Sequence, residues 1–378
     1  WTWSAWVKRT KLGGTTQYLF VSNEYNSSGD GIAGLYFQAD QIYTYYDTSG
    51  SNTYGAVNSR KYRDIGAWYH IVWQVDAANS AHKIWVNGVE ETGLSHHPIN
   101  FNYTMNQAGH ANVMGTSPWN TSSAPANMYL AEVHFSDGYK YAASDFGETD
   151  ATTGQWVPKA SPAITYGTNG FYLNFSDNSG TTATTLGKDS SGNGNNFTPY
   201  NFSVSAGSGN DSVEDTPTNN WATLNPLNPN SNVTFSEGNL KVVKSSAGFI
   251  ASSNFVVTSG KWYMEVKYVS GTSNHQMSVG FGNPDRSYQR LVRGGDGELT
   301  PNTGTVAVTF ADPDIIMLAL DIDNGKWYIG KNGSYMLSGD PVNGTGFVHS
   351  GLSSSEGFMF IYLMSLVRGI SYKFLFLL

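Results

Sequence analysis

The sequence contains no cysteine, few charged residues and no segment with the composition of a long helix. Without cysteine, neither disulfides nor thiolate metal sites contribute to the fold. Charged residues make up 13% of the chain, whereas an average globular protein has roughly 25%. No stretch combines alanine, leucine, glutamate and lysine at the period of a helix over several turns, which argues against helical domains.

Two classes of partner are also disfavoured. The net charge is −8, and lysine and arginine never cluster beyond a small group at 60–63. Binding to nucleic acid needs several cations on one face, so we expect no nucleic-acid partner. The apolar stretch from Phe358 onward is interrupted by Arg368 and Lys373. A transmembrane helix needs about 20 mostly apolar residues, so no membrane span is expected.

What the sequence does contain is typical of short strands joined by tight turns. Glycine accounts for 42 of the 378 residues and aromatic residues for 14%. One phrase occurs twice, at 68–90 and 314–333: an apolar strand with an acidic end, then a Lys-aromatic strand that ends in Asn-Gly. Asn-Gly tolerates positive φ at both central positions of a type I′ turn, so each copy predicts a β-hairpin followed by another tight turn. The two copies predict an all-β chain with two β-sandwiches, each with its own core.

The strand-like segments divide the chain into four regions. The first sandwich is predicted at 1–147 and the second at 232–366. Between them, 148–231 is rich in Gly, Asn, Ser and Pro and predicts an extended connector with short strands. An atypical tail at 367–378 follows. Strands are predicted at 1–8, 17–22, 32–38, 41–46, 69–76, 83–87 and 128–135, and at 239–244, 247–250, 261–269, 275–281, 305–309, 315–322 and 326–330.

The first sandwich resembles a known family. The segments at 3–8, 68–72 and 83–90 read Trp-Ser-Ala-Trp-Val-Lys, Trp-Tyr-His-Ile-Val and Lys-Ile-Trp-Val-Asn-Gly-Val-Glu. On these segments, residues 1–135 resemble a laminin-G-like, concanavalin-type jelly roll. That family usually has a strand before the first one seen here, so the resemblance implies that the domain lacks its first strand.

The second sandwich resembles another family, the SPRY (B30.2-like) domain. The resemblance rests on the segments at 260–266, 278–281, 314–323 and 327–333. The sequence departs from that family from Leu366 onward. The tandem order, with the joint Asp-Thr-Pro-Thr-Asn-Asn-Trp-Ala-Thr-Leu-Asn-Pro at 215–226, is similar to structural or tail-associated proteins of marine bacteriophages. This similarity implies an extracellular, virion-associated protein.

Aromatic residues in and beside polar loops are candidate ligand contacts, because flat aromatic faces pack against the apolar C–H patches of sugars. Tyr43 and Tyr45 share one side of their predicted strand. The alternative interpretation is ordinary loop packing. The candidates are Tyr43, Tyr45, Tyr54, Tyr103 and Trp119.

Calcium is the one metal ion for which candidate ligands stand out. Hard cations take carboxylate, amide and carbonyl oxygens, and Asp177, Asp189, Asn193 and Asn195 lie in Gly-rich turns that could supply them. The alternative is a plain turn, because asparagine tolerates the left-handed region.

The sequence gives little support for enzymatic activity. Retaining glycosidases need two carboxylates about 5–5.5 Å apart. Glu132 and Asp137 are five residues apart, which places them on opposite faces of a regular strand. No Gly-x-Ser-x-Gly elbow is present, although a dispersed Ser-His-Asp set stays open.

We therefore predict a non-enzymatic binding and structural protein. Its predicted partner is a host surface glycan or another virion protein, and repeated copies in a homo-oligomer would multiply a weak single-site affinity. Two alternatives remain: a glycoside hydrolase of concanavalin-like fold that processes polysaccharide, and a purely architectural protein.

Overall fold

The computed structural model describes most of the chain in two compact units. Unit 1 comprises 1–204 and 211–220, and unit 2 comprises 205–210 and 221–378. Strands pair antiparallel in both units, which confirms the predicted all-β fold class. Within the described ranges, none of the helices combines the length and hydropathy that a bilayer crossing requires. The described residues are 1–24, 32–48, 51–57, 59–94, 105, 110–117, 125–206, 209–227, 233–244, 249–268, 277–301, 303–353, 355–364 and 370–373.

Unit 1 contains thirteen described strands and one short helix. Sheet I has the order β13-β10-β1-β6-β7-β8, sheet II has the order β5-β4-β3-β2-β9, and β11 and β12 form a separate hairpin. The helix α1 spans Ala143–Phe146. The strands are β1 Thr2–Arg9, β2 Gln17–Glu24, β3 Ile32–Gln38, β4 Gln41–Thr48, β5 Ser51–Val57, β6 Trp68–Asp76, β7 Ala81–Val86, β8 Val89–Glu90, β9 His110–Val113, β10 Met128–Ser136, β11 Gly147–Thr149, β12 Trp156–Pro158 and β13 Phe171–Leu173.

The core of unit 1 lies between sheets I and II. Alternate residues of each strand point inward, as the period of two requires. Trp3 and Trp73 from sheet I are fully buried in the same cluster as Leu35 and Phe37 from sheet II. Burial of such large side chains supplies most of the driving force for folding.

The outer face of sheet I is also covered, so every residue of β1 is buried. Residues of the predicted connector cover part of this face, because Trp156 and Ile164 pack with Val72 and Trp85 of the sheet. The strand β13 pairs with β10 at the sheet edge. Most of the segment 148–231 therefore belongs to unit 1 and packs on it.

A buried ion pair holds the joint segment 211–220 to the same face. Lys8 Nζ donates to Asp215 Oδ2 at 2.6 Å, and both side chains are almost completely buried. The indole N–H of Trp68 donates to the other oxygen, Oδ1, at 3.0 Å. Lys8 also donates to Asn220 Oδ1 at 2.8 Å. Burial lowers the pKa of Lys8, and the Asp215 charge opposes that shift.

Unit 2 contains twelve described strands in two sheets. Sheet III has the order β14-β15-β25-β17-β21-β22-β23, and sheet IV has the order β16-β24-β18-β19-β20. Met264 and Leu318 of sheet III pack with Val279 and Phe360 of sheet IV in its core. The strands are β14 Val233–Ser236, β15 Lys241–Lys244, β16 Phe249–Ser252, β17 Lys261–Tyr268, β18 Met277–Gly282, β19 Gln289–Arg293, β20 Leu299–Thr300, β21 Ile315–Asp321, β22 Lys326–Lys331, β23 Ser334–Tyr335, β24 Met359–Met364 and β25 Ile370–Lys373.

Two predictions for unit 2 were wrong. Residues 305–309 form only an isolated bridge at Thr305, although Val306, Val308 and Phe310 all enter the core. The alternation of apolar residues here reflects burial of their side chains. A strand also needs backbone hydrogen bonds to a neighbouring strand. Part of the predicted tail forms β25, which pairs with β15 and β17 inside sheet III.

The repeated phrase forms the predicted hairpins, β6–β7 and β21–β22, each followed by an Asn-Gly turn into a short strand. Both turns have positive φ at both central residues, with φ of +80° at Gly88 and +88° at Gly333. Their surroundings differ. A methyl group at residue 88 would lie 2.8 Å from the Trp156 ring, whereas nothing lies within 4 Å of one at residue 333.

Removal of Asp215 tests the buried ion pair. The Asp215→Ala variant leaves a buried ammonium without its counter-charge, and we expect it to lose about 3–5 kcal/mol of unfolding free energy. The matched control is Glu90→Gln, which breaks the exposed Lys83–Glu90 pair and should cost less than about 1 kcal/mol. Equal losses for both variants in urea unfolding would contradict the role of Asp215.

The two Asn-Gly turns provide a matched pair for a second test. Gly333→Ala should cost about 1–2 kcal/mol, since only the positive φ is strained. Gly88→Ala should cost about 1–3 kcal/mol more, because the added methyl also displaces Trp156. Thermal or urea unfolding measures both. The same loss in both variants would show that Trp156 does not pack on this turn.

Candidate functional site

The outer face of sheet II carries a row of tyrosines. Tyr18, Tyr36 and Tyr43 hold directly opposed register positions on β2, β3 and β4. The ring centroids of Tyr36 and Tyr43 are 5.4 Å apart with nearly parallel planes, and those of Tyr18 and Tyr36 are 5.7 Å apart. Tyr45 lies in the next row, opposite Gly34. We call these four tyrosines the tyrosine face.

The structure brings part of the predicted aromatic set together here. Tyr43 and Tyr45 lie on the tyrosine face, and the backbone of Tyr54 in β5 pairs opposite Tyr45. The predicted Tyr103 and Trp119 lie outside the described residues. The prediction missed Tyr18 and Tyr36. The turn between β3 and β4 is the signal that could have identified Tyr36. A two-residue turn at 39–40 places Tyr36 opposite Tyr43.

Small and amide residues border the tyrosines. A methyl group at Gly34 would lie 3.1 Å from the Val21 side chain, so the glycine lets Val21 pack closely against it. Gln38 and Gln41 form the next row beyond Tyr36 and Tyr43. Tyr18, Tyr43 and Tyr45 are half-buried, whereas Tyr36 between them is only 6% exposed. Phenols next to amides offer both donors and acceptors to a polar ligand.

A buried carboxylate fixes the turn that sets this register. Asp40 has φ of +65°, and its Oδ1 accepts from Gly13 N at 2.8 Å and Arg9 Nη1 at 3.1 Å. Arg63 Nε donates to Oδ2 at 3.1 Å. Partial burial alone would raise the pKa of Asp40, but these donors and charges lower it. The turn is therefore held from outside the hairpin.

The predicted calcium ligands are only partly assembled. Asp189, Asn193 and Asn195 lie in one turn, whereas the Asp177 carboxylate accepts from Ser179 elsewhere. The Asp189 oxygens accept from the backbone N–H groups of Tyr172, Ser191 and Asn195 and from the Ser191 hydroxyl.

The two asparagines of that turn bond to neighbouring backbone. Their amide N–H groups donate to the carbonyl oxygens of Gly167, Thr168 and Gly170. In the described part of the chain, no group of three acidic, histidine or cysteine side chains could hold a metal ion. A carboxylate has about four acceptor positions, and at Asp189 the protein occupies them, so the turn is held by hydrogen bonds.

A serine–histidine pair lies beneath the covering segment of unit 1. Ser4 Oγ is 2.8 Å from His70 Nε2, and the Trp156 indole N–H donates to His70 Nδ1 at 2.9 Å. Because an indole can only donate, Nδ1 is unprotonated and the ring proton lies on Nε2. His70 therefore donates to Ser4 and has no free lone pair to take its proton. This pair lacks the geometry of a nucleophile and its base.

A second buried histidine has tyrosines on both sides. His134 stacks on Tyr172 at 4.2 Å and on Tyr166 at 6.1 Å, and its Nδ1 is 2.9 Å from the Tyr166 hydroxyl. Tyr172 donates to Glu132, which has φ of +50° at a bulge in β10. Burial raises the pKa of Glu132, and the bond from Tyr172 opposes that shift.

Glu132 and Asp137, which the spacing in the sequence places on opposite faces, do not share hydrogen-bond partners. Glu132 accepts from Tyr172, whereas Asp137 Oδ2 accepts from the backbone and side-chain amides of Asn169 at 3.2 and 3.1 Å. Each carboxylate therefore stabilises a different neighbouring segment.

Comparison with known proteins bears on both units. Residues 1–144 match a laminin-G family described as the Concanavalin A-like lectin/glucanases superfamily. The curated proteins contain no match. Among solved structures, the crystal structure of the SPRY domain of human HERC1 is similar at 18% identity and a TM-score of 0.32, covering 38% of this chain and 92% of that chain. The family match agrees with the laminin-G-like resemblance predicted from the sequence. The superfamily match indicates a binding or structural domain in unit 1.

Because two histidines are buried, we expect the free energy of unfolding to fall in acid. Burial lowers the pKa of His70 and of His134 from 6.5 to about 3. Between these pH values the unfolded chain binds more protons than the folded one. The stability due to neutral histidine is thus complete above pH 6.5 and is lost as the pH falls toward 3, by up to about 1.4 kcal/mol per pH unit and histidine.

The His134→Phe variant keeps a stacking ring but removes the titrating group. We expect a smaller change of unfolding free energy between pH 7 and pH 4.5 than in the wild type. The control Tyr166→Phe removes the hydrogen bond and leaves the histidine, so its pH dependence should be that of the wild type. Urea unfolding at both pH values measures this, and an unchanged slope in His134→Phe would refute the prediction.

Proposed function

We propose that this protein is a non-enzymatic attachment protein of a virion that binds a host surface glycan on its tyrosine face. The observation that carries the proposal is the cross-strand row of Tyr18, Tyr36 and Tyr43 on the outer face of sheet II. The match of residues 1–144 to a superfamily that includes lectins supports it. The virion setting rests on the resemblance of the sequence to phage structural proteins.

The chemistry of the tyrosine face suits a neutral, hydroxyl-rich ligand. Phenol rings offer apolar area together with a hydroxyl that donates and accepts. Gln38 and Gln41 add amides in the adjacent row. Rings that stack on one another are already ordered, so little side-chain entropy is lost when a ligand binds.

A single site of this kind binds weakly, because a few aromatic contacts must offset the loss of ligand freedom. Repeated copies in a homo-oligomer would raise the effective affinity about 10²–10⁴-fold without a new contact. Attachment to a surface polysaccharide, which repeats its own epitope, fits such multivalent binding.

The non-enzymatic part of the proposal draws on the buried groups of unit 1. The Ser4–His70 pair has its proton on the nitrogen that faces serine, since Trp156 donates to the other nitrogen. Glu132 and Asp137 bond to different segments. Neither set has the arrangement that acyl transfer or glycoside hydrolysis needs.

A glycan array with the whole chain, followed by titration against the best polysaccharide, tests this function. The Tyr43→Ala variant should weaken binding about tenfold or more, as expected for loss of an aromatic anchor. Tyr43→Phe separates the ring from its hydroxyl. The matched control is Tyr200→Ala, which removes a tyrosine of unit 1 that is 61% exposed and lies outside the strands of sheet II.

Three results would contradict the proposal. If no glycan binds across a wide panel, a purely architectural role is favoured. If a glycan binds equally well to wild type and Tyr43→Ala, the ligand lies elsewhere on the chain. Glycan cleavage during the titration would refute the non-enzymatic part.

A further inference from the structure

The outer face of sheet III in unit 2 carries a carboxylate between tyrosines. Side chains of β17 alternate, so Tyr263 and Glu265 face away from the core while Met264 and Val266 enter it. The Tyr263 hydroxyl donates to Glu265 Oε1 at 2.7 Å. The Glu265 patch, as we call it, consists of Tyr263, Glu265, Met317, Ala319, Gly330 and Tyr335.

The register of the sheet brings these residues together. Glu265 lies opposite Met317, which lies opposite Gly330, which lies opposite Tyr335. In the neighbouring row, Ala319 separates Tyr263 from Tyr328. The central positions are thus small or flexible side chains, and tyrosines and a carboxylate surround them.

Burial and the charge of Glu265 both affect the pKa values of the neighbouring tyrosines. Burial raises the pKa of Tyr335 to about 12, with a further contribution from the Glu265 charge. Burial also raises the pKa of Tyr263, together with its bond to Glu265. Tyr263, Glu265 and Tyr335 are half-buried, whereas Met317 and Ala319 are only 9% and 6% exposed. The centre of the patch therefore lies beneath its rim.

In the described contacts, neither lysine of β17 forms an ion pair with the Glu265 carboxylate. Lys261 pairs with Asp321 and donates to the carbonyl oxygen of Pro341. Lys267 is exposed at the other end of the strand. On the adjacent strand, Lys373 holds the register position opposite Glu265.

We propose that the Glu265 patch binds an arginine side chain of a partner protein. A carboxylate that uses one acceptor position for a tyrosine hydroxyl retains others for a guanidinium. The tyrosine rings attract a cation through their π faces, and a planar guanidinium stacks on such rings better than an ammonium does. This site is separate from the tyrosine face of unit 1 and does not depend on glycan binding.

The test uses the whole chain and the blocked tripeptide acetyl-Gly-Arg-Gly-amide, with binding measured by saturation-transfer NMR titration. We expect saturable binding of millimolar strength. The Glu265→Gln variant should weaken it about tenfold, because the charge-assisted bond is lost. Glu148→Gln is the matched control, since it removes the same charge from an exposed residue of unit 1 and should bind as the wild type does.

Two further variants keep the proposal testable if Glu265→Gln folds poorly. Ala319→Val fills the centre of the patch and should also weaken binding. Lys373→Met removes a positive charge at the register position opposite Glu265, so binding should be at least as tight as in the wild type.

Several outcomes would overturn the assignment. These are absence of saturation with the arginine peptide, equal binding to Glu265→Gln, and a loss of binding in Lys373→Met. If the corresponding lysine peptide or tetramethylammonium binds as tightly, the patch accepts cations in general and the assignment to arginine is wrong.

Discussion

Unit 1 depends on one constraint: its central strand is buried on both faces, so polar side chains on the outer face need partners within the protein. Unpaired, these groups would cost several kcal/mol each. Trp156 supplies the donor for His70, Tyr166 pairs with His134, and Asp215 pairs with Lys8. Segments that follow the sandwich in sequence are thus fixed on sheet I by polar pairing as well as by apolar contact. On sheet II, by contrast, the outer side carries the tyrosine face.

Local sequence signals predicted the strands well because turn chemistry and alternation are local properties. The Asn-Gly turns at 87–88 and 332–333 end hairpins in both units, as their tolerance of positive φ requires. The failures are non-local. Residues 305–309 alternate because their side chains enter the core, yet among the described residues their pairing is limited to a single bridge between Thr305 and Glu298. The strand β25 has an unusual composition, and its partners β15 and β17 lie more than a hundred residues earlier in the chain.

The candidate sites show the same limit at the level of single residues. Tyr43 and Tyr45 were predicted from the parity of one strand, whereas Tyr18 required knowledge of a second hairpin and its bulge. Asp189 resembles a calcium ligand in sequence, because an oxygen-rich turn looks the same whether a cation or backbone N–H groups fill its acceptor positions. The hydrogen-bond geometry distinguishes these two cases. At Asp189, backbone N–H groups occupy acceptor positions of the carboxylate. Lys8 and Asp215 are 207 residues apart, so no local pattern could pair them.

The repeated hairpin serves two different purposes in the two units. In unit 1, Trp85 on the outer side of β7 packs beneath Trp156, and the turn glycine Gly88 must stay small for that ring. In unit 2, the equivalent turn at Gly333 has open space around it, and the outer face of its sheet presents the Glu265 patch. The same backbone signal therefore occurs both where a following segment packs on the turn and where the turn has open space around it. The shared Asn-Gly turn fixes both hairpins, and the residues around each turn differ between the two units.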